Sequence, residues 1–366
     1  MAARKTASTH VTLQDVAKAS GFSPSTVSIV LNEAPLSRYV AAKTKEHIRK
    51  IAEEMNYHPD ALARSLSKRR SQTIGVLVFD ISDPFCISLL RGIERTLYPT
   101  PYLPIIMDAD NRREQLERYL DLLFERRVEG VVIVANWLFG EIETLSQIQT
   151  NRIPSVVVGR DLSARAIRSV VVDNEAGGYA AVEHLYRLGH RKIAYLRGPE
   201  ELDDSVRRWR GVQRFAAEVG LKIDSRLIGQ IAPALDPNSG FDGGKALVGK
   251  LIEAGCVFTA VLAFDDLTAL GAMRALWSAG RRVPEDCSIV GFDDVPHAEL
   301  CTPGMTTLHQ PMLEMGSLAM NLVLEAIAHP KTAQKDASYL HLMPPTLIKR
   351  DSTQKVLRRS RSSTRS

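Results

Sequence analysis

The spacing of apolar residues changes near residue 73. Before it they recur at helical intervals, and after it they come in short continuous runs separated by amphipathic stretches. Leu13, Val16 and Ala17 fall at i, i+3 and i+4. They predict a helix that Thr12 caps, with Asp15 reaching back, and that Gly21 stops. A second helix begins with Ser23 as N-cap and Pro24 at the first helical position. It turns Val27, Val30 and Leu31 inward and leaves Ser25, Thr26, Ser28 and Ile29 outside. After a loop containing Pro35 and Tyr39, Thr44 is the expected cap of a third helix running to about Tyr57, with Ile48, Ile51, Ala52 and Met55 at core spacing. Pro59 interrupts. DALARSLSKRR follows as a short helix-capable segment, with Leu62 and Leu66 on one side among Arg64, Lys68, Arg69 and Arg70. Two short helices joined by a tight glycine turn outline a DNA-reading helix-turn-helix, although an ordinary αα-hairpin has the same caps and faces.

From Thr73 the runs are IGVLVF, LPIIM, VEGVVIVA and SVVVG, with helices expected at Leu89 to Leu97 and 113–127. A second series has KIAYLRG, LIGQIA, FTAVLAF and CSIVGFD, with helices at 205–219, 241–254 and 266–279. Such β-α-β alternation predicts parallel sheets covered by helices, and two series predict two lobes. Open parallel sheets bind ligands at the carboxyl ends of their strands. Those ends carry Asp80 and Asp83, Arg160 and Asp161, Asp265 and Asp266, and Asp293 and Asp294. Helix capping competes with ligand binding for these carboxylates, most of all for Asp266 and Asp294, which directly precede helix or turn signals.

Charge sharpens the division. The 366 residues hold 47 Lys+Arg against 42 Asp+Glu. Residues 1–72 carry 12 against 6, 73–354 carry 30 against 36, and 355–366 carry five against none. A basic head on an acidic body suits a protein that presents one end to phosphates. No apolar run approaches the roughly 20 residues of a membrane span, and MAARKTASTH lacks an apolar signal core, so a cytoplasmic location with no membrane partner is expected. Cys86, Cys256, Cys287 and Cys301 have no metal-ligand spacing and read as buried, reduced thiols. No GxGxxG, P-loop, GxSxG or HExxH motif is present, and SLSK at 65–68 lies inside a basic segment. His184, His190, His297 and His309 have no partner at triad or metal spacing, and His309 is expected in a structural, hydrogen-bonded role. No enzymatic activity, cofactor or metal is expected.

The segments VTLQDVAKASGFSPSTVS, NYHPDALARSLS, IGVLV, DPF, GHRKIAYLRGP, VGFDD and TTLHQP run in an order that resembles the lactose-repressor (LacI/GalR) family of bacterial transcription regulators, across nearly the whole chain. The resemblance implies an all-α helix-turn-helix headpiece at 1–58 and a hinge helix at 59–72. It implies next an α/β two-lobed periplasmic-binding-protein-like domain at 73–350, with an N-lobe of about 73–172 and 310–336 and a C-lobe of about 173–309 and 337–350. A disordered basic tail is expected at 351–366. The residues expected against DNA are Thr12, Ser23, Pro24, Ser25, Thr26, Ser28, Ile29, Asn32 and Tyr57. Ala63 and Arg64 then support Leu66 as a wedge in the minor groove. Pro24 and Ser25 occupy the positions that vary with operator choice, and neither makes the bidentate contacts of Arg or Asn to a base. By the same resemblance Asp83, Phe85, Arg160, Arg208, Leu235, Asp265 and Asp293 surround an effector. Carboxylates and arginines opposite an aromatic ring suit a polyhydroxylated ligand, so a sugar or sugar derivative is the expected effector. Nucleosides and other metabolites bound by the same scaffold are the alternative, in a corepressed regulator. Leu235, where a purine-binding member has an aromatic, disfavours a stacked base. Asp83 departs from the more usual asparagine of that motif. The expected partners are double-stranded operator DNA, a small-molecule effector and a second copy of the chain.

Overall fold

The computed structural model describes residues 11–57, 70–135, 153–232, 239–330 and 338–356. The chain divides into two compact units, residues 1–72 and 73–366.

In the first unit, α1 (Leu13–Ser20) is capped by Thr12. The Thr12 hydroxyl accepts from the Asp15 N–H at 3.3 Å, and the Asp15 carboxylate accepts from the Thr12 N–H at 2.8 Å. Gly21 ends the helix at φ +74°, a left-handed conformation that suits glycine. In α2 (Pro24–Leu31), the Ser23 hydroxyl accepts from the Thr26 N–H at 3.1 Å. Val16, Ala17, Val27, Val30, Ile48 and Ala52 form the buried core, with Leu13, Leu31, Ile51, Met55 and Tyr57 packed around it. The third helix, α3 (Ala42–Glu54), starts two residues before Thr44. A 3-10 turn at Pro35–Tyr39 delivers the chain early, and the Ala41 carbonyl accepts the Lys45 N–H, so backbone geometry rather than a side-chain cap sets this start.

The described residues of the second unit form two six-stranded sheets. The first comprises β1 (Thr73–Val78), β2 (Leu103–Asp108), β3 (Gly130–Val134), β4 (Ser155–Val158), β5 (Arg168–Val172) and β11 (Leu340–Met343), in the order β11-β5-β4-β3-β1-β2. The second comprises β6 (Ile193–Arg197), β7 (Ile228–Gln230), β8 (Ala260–Ala263), β9 (Ser288–Asp293), β10 (Thr306–His309) and β12 (Thr346–Ile348), in the order β12-β10-β9-β8-β6-β7. The pairs are parallel, with Val76 opposite both Ile106 and Val132, except that β12 runs antiparallel to β10. Helices α4 (Pro84–Leu97), α5 (Arg113–Glu125) and α11 (Met312–Ala328) belong to the first lobe. Helices α6 (Asn174–Arg187), α7 (Asp203–Val219), α8 (Ser239–Glu253), α9 (Asp266–Ser278) and the short α10 (Pro296–Leu300) belong to the second. Covered faces explain why the central strands, such as Val131–Val134 and Val156–Val158, are buried without alternation.

Several elements depart from expectation. Helix α4 begins at Pro84 rather than near Leu89, because Asp83 caps it and proline is pre-set for its first turn. Strand β5 and helix α6 were not among the predicted elements. β11 joins the first sheet beside β5, so the segment 340–343 lies in the N-lobe rather than the C-lobe. Parallel pairing with β5 places it there, a non-local contact that leaves no local signal. Residues 351–356 are ordered: Ser352 is fully buried and its hydroxyl donates to the Ile289 carbonyl at 2.7 Å. Cys86 and Cys287 are buried, whereas Cys256 and Cys301 are half-buried, and all four are free thiols.

Three helix pairs touch backbone to backbone through reciprocal glycines. A Cβ on Gly178 of α6 would overlap the Arg208 carbonyl of α7, and one on Gly211 would overlap the Glu175 carbonyl. Gly92 and Gly316 do the same between α4 and α11, and Gly244 and Gly271 between α8 and α9.

Candidate functional site

In the first unit, Pro24 and Ser25 are exposed at the start of α2, while Thr26, Ser28, Ile29 and Asn32 are half-buried. The Thr12 and Ser23 hydroxyls serve as caps, Thr26 Oγ1 lies 2.9 Å from Ser23 Oγ, and Asn32 Nδ2 donates to Ser28 Oγ at 3.1 Å. Tyr57 packs on the core. Ala63, Arg64 and Leu66, and Leu235 in the second unit, lie outside the described residues.

In the second unit, the carboxyl ends of the two sheets enclose a cavity of about 190 Å³ between the lobes. Phe79, Asp83, Phe85 and Asn111 line it from the first lobe, and Asp204, Arg208, Phe264, Asp265, Asp293 and Gln310 from the second. Of the effector-site residues expected from sequence, Asp83, Phe85, Arg208, Asp265 and Asp293 meet at this wall. Arg160 follows β4 but is absent from the lining; its charge acts on Asp204.

The arginine is held on several sides. Nε of Arg208 donates to Asn174 Oδ1 at 2.8 Å and Nη1 to the Phe264 carbonyl at 2.6 Å. Its guanidinium sits 3.6 Å from the centre of the Phe292 ring, a cation–π stack. Nη2 lies 3.6 Å from Asp293 Oδ1, too long for a hydrogen bond and close enough for attraction. Burial raises Asp293 well above the usual carboxylate range, against the pull of Arg208. Asp204 is raised by the same cause, and its Oδ1 accepts from Asn174 Nδ2 at 2.8 Å.

Strand β9 ends at Asp293 with φ +115°, and Asp294 follows at φ +61°, two consecutive residues with strained backbone. The surroundings hold both. Gln310 donates to the Asp293 carboxylate. Asp294 accepts from Arg350 Nη2 at 2.7 Å and pairs with His309 Nδ1 at 3.0 Å, which gives His309 a structural partner. His184 bonds Thr353, and His190 bonds Thr259 and the Gln354 carbonyl. Among the described residues no group of three or more His, Cys, Asp or Glu is placed to hold a metal ion.

Capping falls on a different carboxylate than the sequence pattern favours. Asp265, not Asp266, caps α9, accepting the Thr268 N–H at 2.7 Å. Asp266 is wholly buried in the first turn, where its oxygens accept from Thr307 Oγ1 at 2.6 Å and the Val295 N–H at 2.9 Å. Burial pushes its carboxyl up to about 7. Asp83 Oδ1 caps α4 through the Phe85 N–H at 2.9 Å, and burial pushes this carboxyl up to about 6, with the Asp265 and Asp80 charges adding to the rise. Asp80 and Asp161 bind their own turns, accepting from Ser82 and Ser163, and Asp80 also accepts from Asn111. Asn174, Asp204, Phe264, Phe292 and Gln310 escaped the sequence reading. Asp204 was accessible as an acid in the first turn of a helix that carries Arg208, whereas Asn174 and Gln310 follow strand ends that the run pattern did not isolate.

Comparison with known proteins matches both units. A family model described as bacterial regulatory proteins, lacI family, matches residues 12–60, and one described as a periplasmic binding protein-like domain matches residues 182–353. The HTH-type transcriptional repressor PurR of Haemophilus influenzae (strain PittEE) is 31% identical over 341 residues, covering 93% of this chain and 98% of the relative. The crystal structure of the lac repressor dimer bound to operator and the anti-inducer ONPF superposes with a TM-score of 0.80 at 26% identity, covering 94% of this chain and 100% of that one. A LacI family transcriptional regulator from Enterococcus faecium, solved with bound ribose, gives a TM-score of 0.67 at 31% identity, covering 78% of this chain and 100% of that one. These relatives are regulators rather than enzymes. Among the described residues no helix is long and apolar enough to cross a membrane. With a capped helix-turn-helix ahead of a two-lobed cavity, and with likeness along both, the chain belongs to the lacI family of bacterial regulatory proteins and is a DNA-binding transcriptional repressor.

Proposed function

We propose that the protein is a homodimeric repressor, acting in the cytoplasm, whose affinity for a near-palindromic operator changes when a sugar or sugar derivative occupies the interlobe cavity. The observation that carries the ligand is the chemistry of the wall. Carboxylates of Asp83, Asp265 and Asp293 offer acceptors to hydroxyl protons, Arg208 offers a donor, and Phe85 and Phe264 cover apolar ring faces. The ribose in the Enterococcus faecium regulator supports the same ligand class.

On the DNA side, Pro24 and Ser25 face the major groove, with Thr26, Ser28, Ile29 and Asn32 beside them. Thr12, Ser23 and Tyr57 approach the backbone. Leu66 enters the minor groove at the hinge, supported by Ala63 and Arg64. Two-fold pairing is supported by apolar side chains left on the first lobe: Ile87 on α4, Leu103 and Ile106 on the edge strand β2, and Tyr98, which is 90% exposed.

A second reading, a planar heterocycle acting as corepressor, draws on the rings of Phe79, Phe85 and Phe264 at the same wall. Selecting bound sequences from a random duplex pool defines the operator. Fluorescence anisotropy of that duplex, titrated with sugars, nucleosides and nucleobases, then separates the readings. The expected result is an operator affinity altered about tenfold or more by at least one sugar, with the effect lost in Asp293→Ala. Sensitivity to nucleosides or bases alone replaces the sugar reading with the second one.

A further inference from the structure

The charge of the cavity is one-sided. Among the described residues that line it, Asp83, Asp204, Asp265, Asp266 and Asp293 are acids and Arg208 is the one cation. Arg208 has committed Nε and Nη1 to protein acceptors and its face to Phe292. Asp266 has both oxygens bonded by Thr307 and Val295.

Asp83 and Asp265 differ from the rest. They reach the cavity from opposite lobes, and each caps a helix with Oδ1, Asp83 on α4 and Asp265 on α9. Neither Oδ2 has a protein donor among the described residues. Burial raises the Asp83 carboxyl, and the Asp265 charge adds to that rise. Two carboxylates lining one cavity from opposite lobes repel, so an uncharged ligand leaves that repulsion in place, whereas a cationic group between them turns it into two attractions. Ligands for a metal ion are not grouped anywhere among the described residues, so the complement is an organic ammonium with several protons to donate.

Resting on the sugar reading above, we propose that the effector is an aminated one, an amino sugar or aminopolyol, and that Asp83 and Asp265 are the specificity-determining pair that binds its ammonium across the cleft. Hydroxyls of the same ligand go to Asp293, Asp204 and Arg208, and its apolar face to Phe85.

Calorimetric titration of the full-length protein tests this with matched probes: glucosamine against glucose, galactosamine against galactose, mannosamine against mannose, and streptamine against scyllo-inositol. At about pH 7 the aminated member of at least one pair should bind about tenfold tighter than its neutral counterpart, the worth of one added charge contact. Asp83→Asn and Asp265→Asn each keep the capping oxygen, and each should bring that ratio close to one. Between about pH 5 and pH 7 the affinity of the unaltered protein for the aminated probe should rise as Asp83 loses its proton, and Asp83→Asn should remove that rise. Neutral members binding as tightly as aminated ones overturns the inference and leaves the sugar reading standing. Binding of no member of any pair overturns both. A preference for amines that survives both asparagine variants overturns the role of this pair.

Discussion

Replacing Arg208 by methionine removes the guanidinium and keeps most of the apolar stem. In the folded protein that guanidinium donates to Asn174 and to the Phe264 carbonyl and stacks on Phe292, in a side chain only about a tenth exposed. A hydrogen bond from a charged donor is worth about 1.5–3 kcal/mol and a desolvated cation–π contact about 2 kcal/mol. These do not add, because the variant also leaves Asn174 Oδ1 and the Phe264 carbonyl without their donor and Asp293 without its neighbouring cation. The expected net loss is about 3–5 kcal/mol, the range for breaking a buried pair. In a unit of this size that lowers the melting temperature by roughly 10 °C. Arg208→Lys keeps the charge but not the fork or the stack, and should fall between the two. Scanning calorimetry near pH 7 reads the loss. A methionine variant that melts within about 2 °C of the parent refutes the account of Arg208 as the buried keystone of the cavity wall.

Asp266 gives a second pH test. Its carboxyl is raised to about 7 by burial, against about 4 in an unfolded chain, so its contribution to stability is full below about pH 4 and is lost as pH rises through 7. In Asp266→Asn the amide oxygen accepts the Val295 N–H and the amide nitrogen donates to Thr307 Oγ1. The variant's melting temperature should gain on the parent between about pH 5 and pH 8, and parallel curves contradict the assignment. Gly178→Ala forces α6 away from the Arg208 carbonyl and should cost about 1–3 kcal/mol in chemical denaturation along with a weaker ligand response. Gly249→Ala, also within a helix but with open space at its Cβ, should instead stabilise by about 0.5–1 kcal/mol. Thr12→Ala removes the capping box and should lower the stability of the first unit by about 1 kcal/mol, read from helical circular dichroism of the full chain in urea and from weaker DNA binding.

What the sequence displayed, it displayed through local chemistry. The Thr12–Asp15 box, the Gly21 stop and Pro24 at the head of α2 follow from contacts three or four residues apart, and they lie where the pattern places them. Continuous apolar runs disclosed the parallel sheets because both faces of such strands are covered. Non-local relations stayed hidden. β11 is assigned by its partner β5, and Leu342 within it is half exposed, so no hydrophobic pattern marks its lobe. Asp265 and Asp266 are adjacent and chemically identical, and only the approach of Thr307, 41 residues on, decides which is drawn inward and which caps the helix. The cradle of Arg208 joins Asn174, Phe264 and Phe292, residues that share no spacing rule.

The reciprocal glycines carry a mechanical consequence. A helix pair separated by side chains has a compliant layer on which to slide, whereas α4 with α11, α6 with α7, and α8 with α9 meet main chain to main chain, where neither partner can yield. Each lobe therefore behaves as a stiff block. Among the described residues, any movement of one lobe against the other falls on the connections at 172–174, 309–312 and 343–346. One of these, 309–312, is bonded directly to the β9 terminus, through Gln310 to Asp293, which lines the cavity, and through His309 to Asp294.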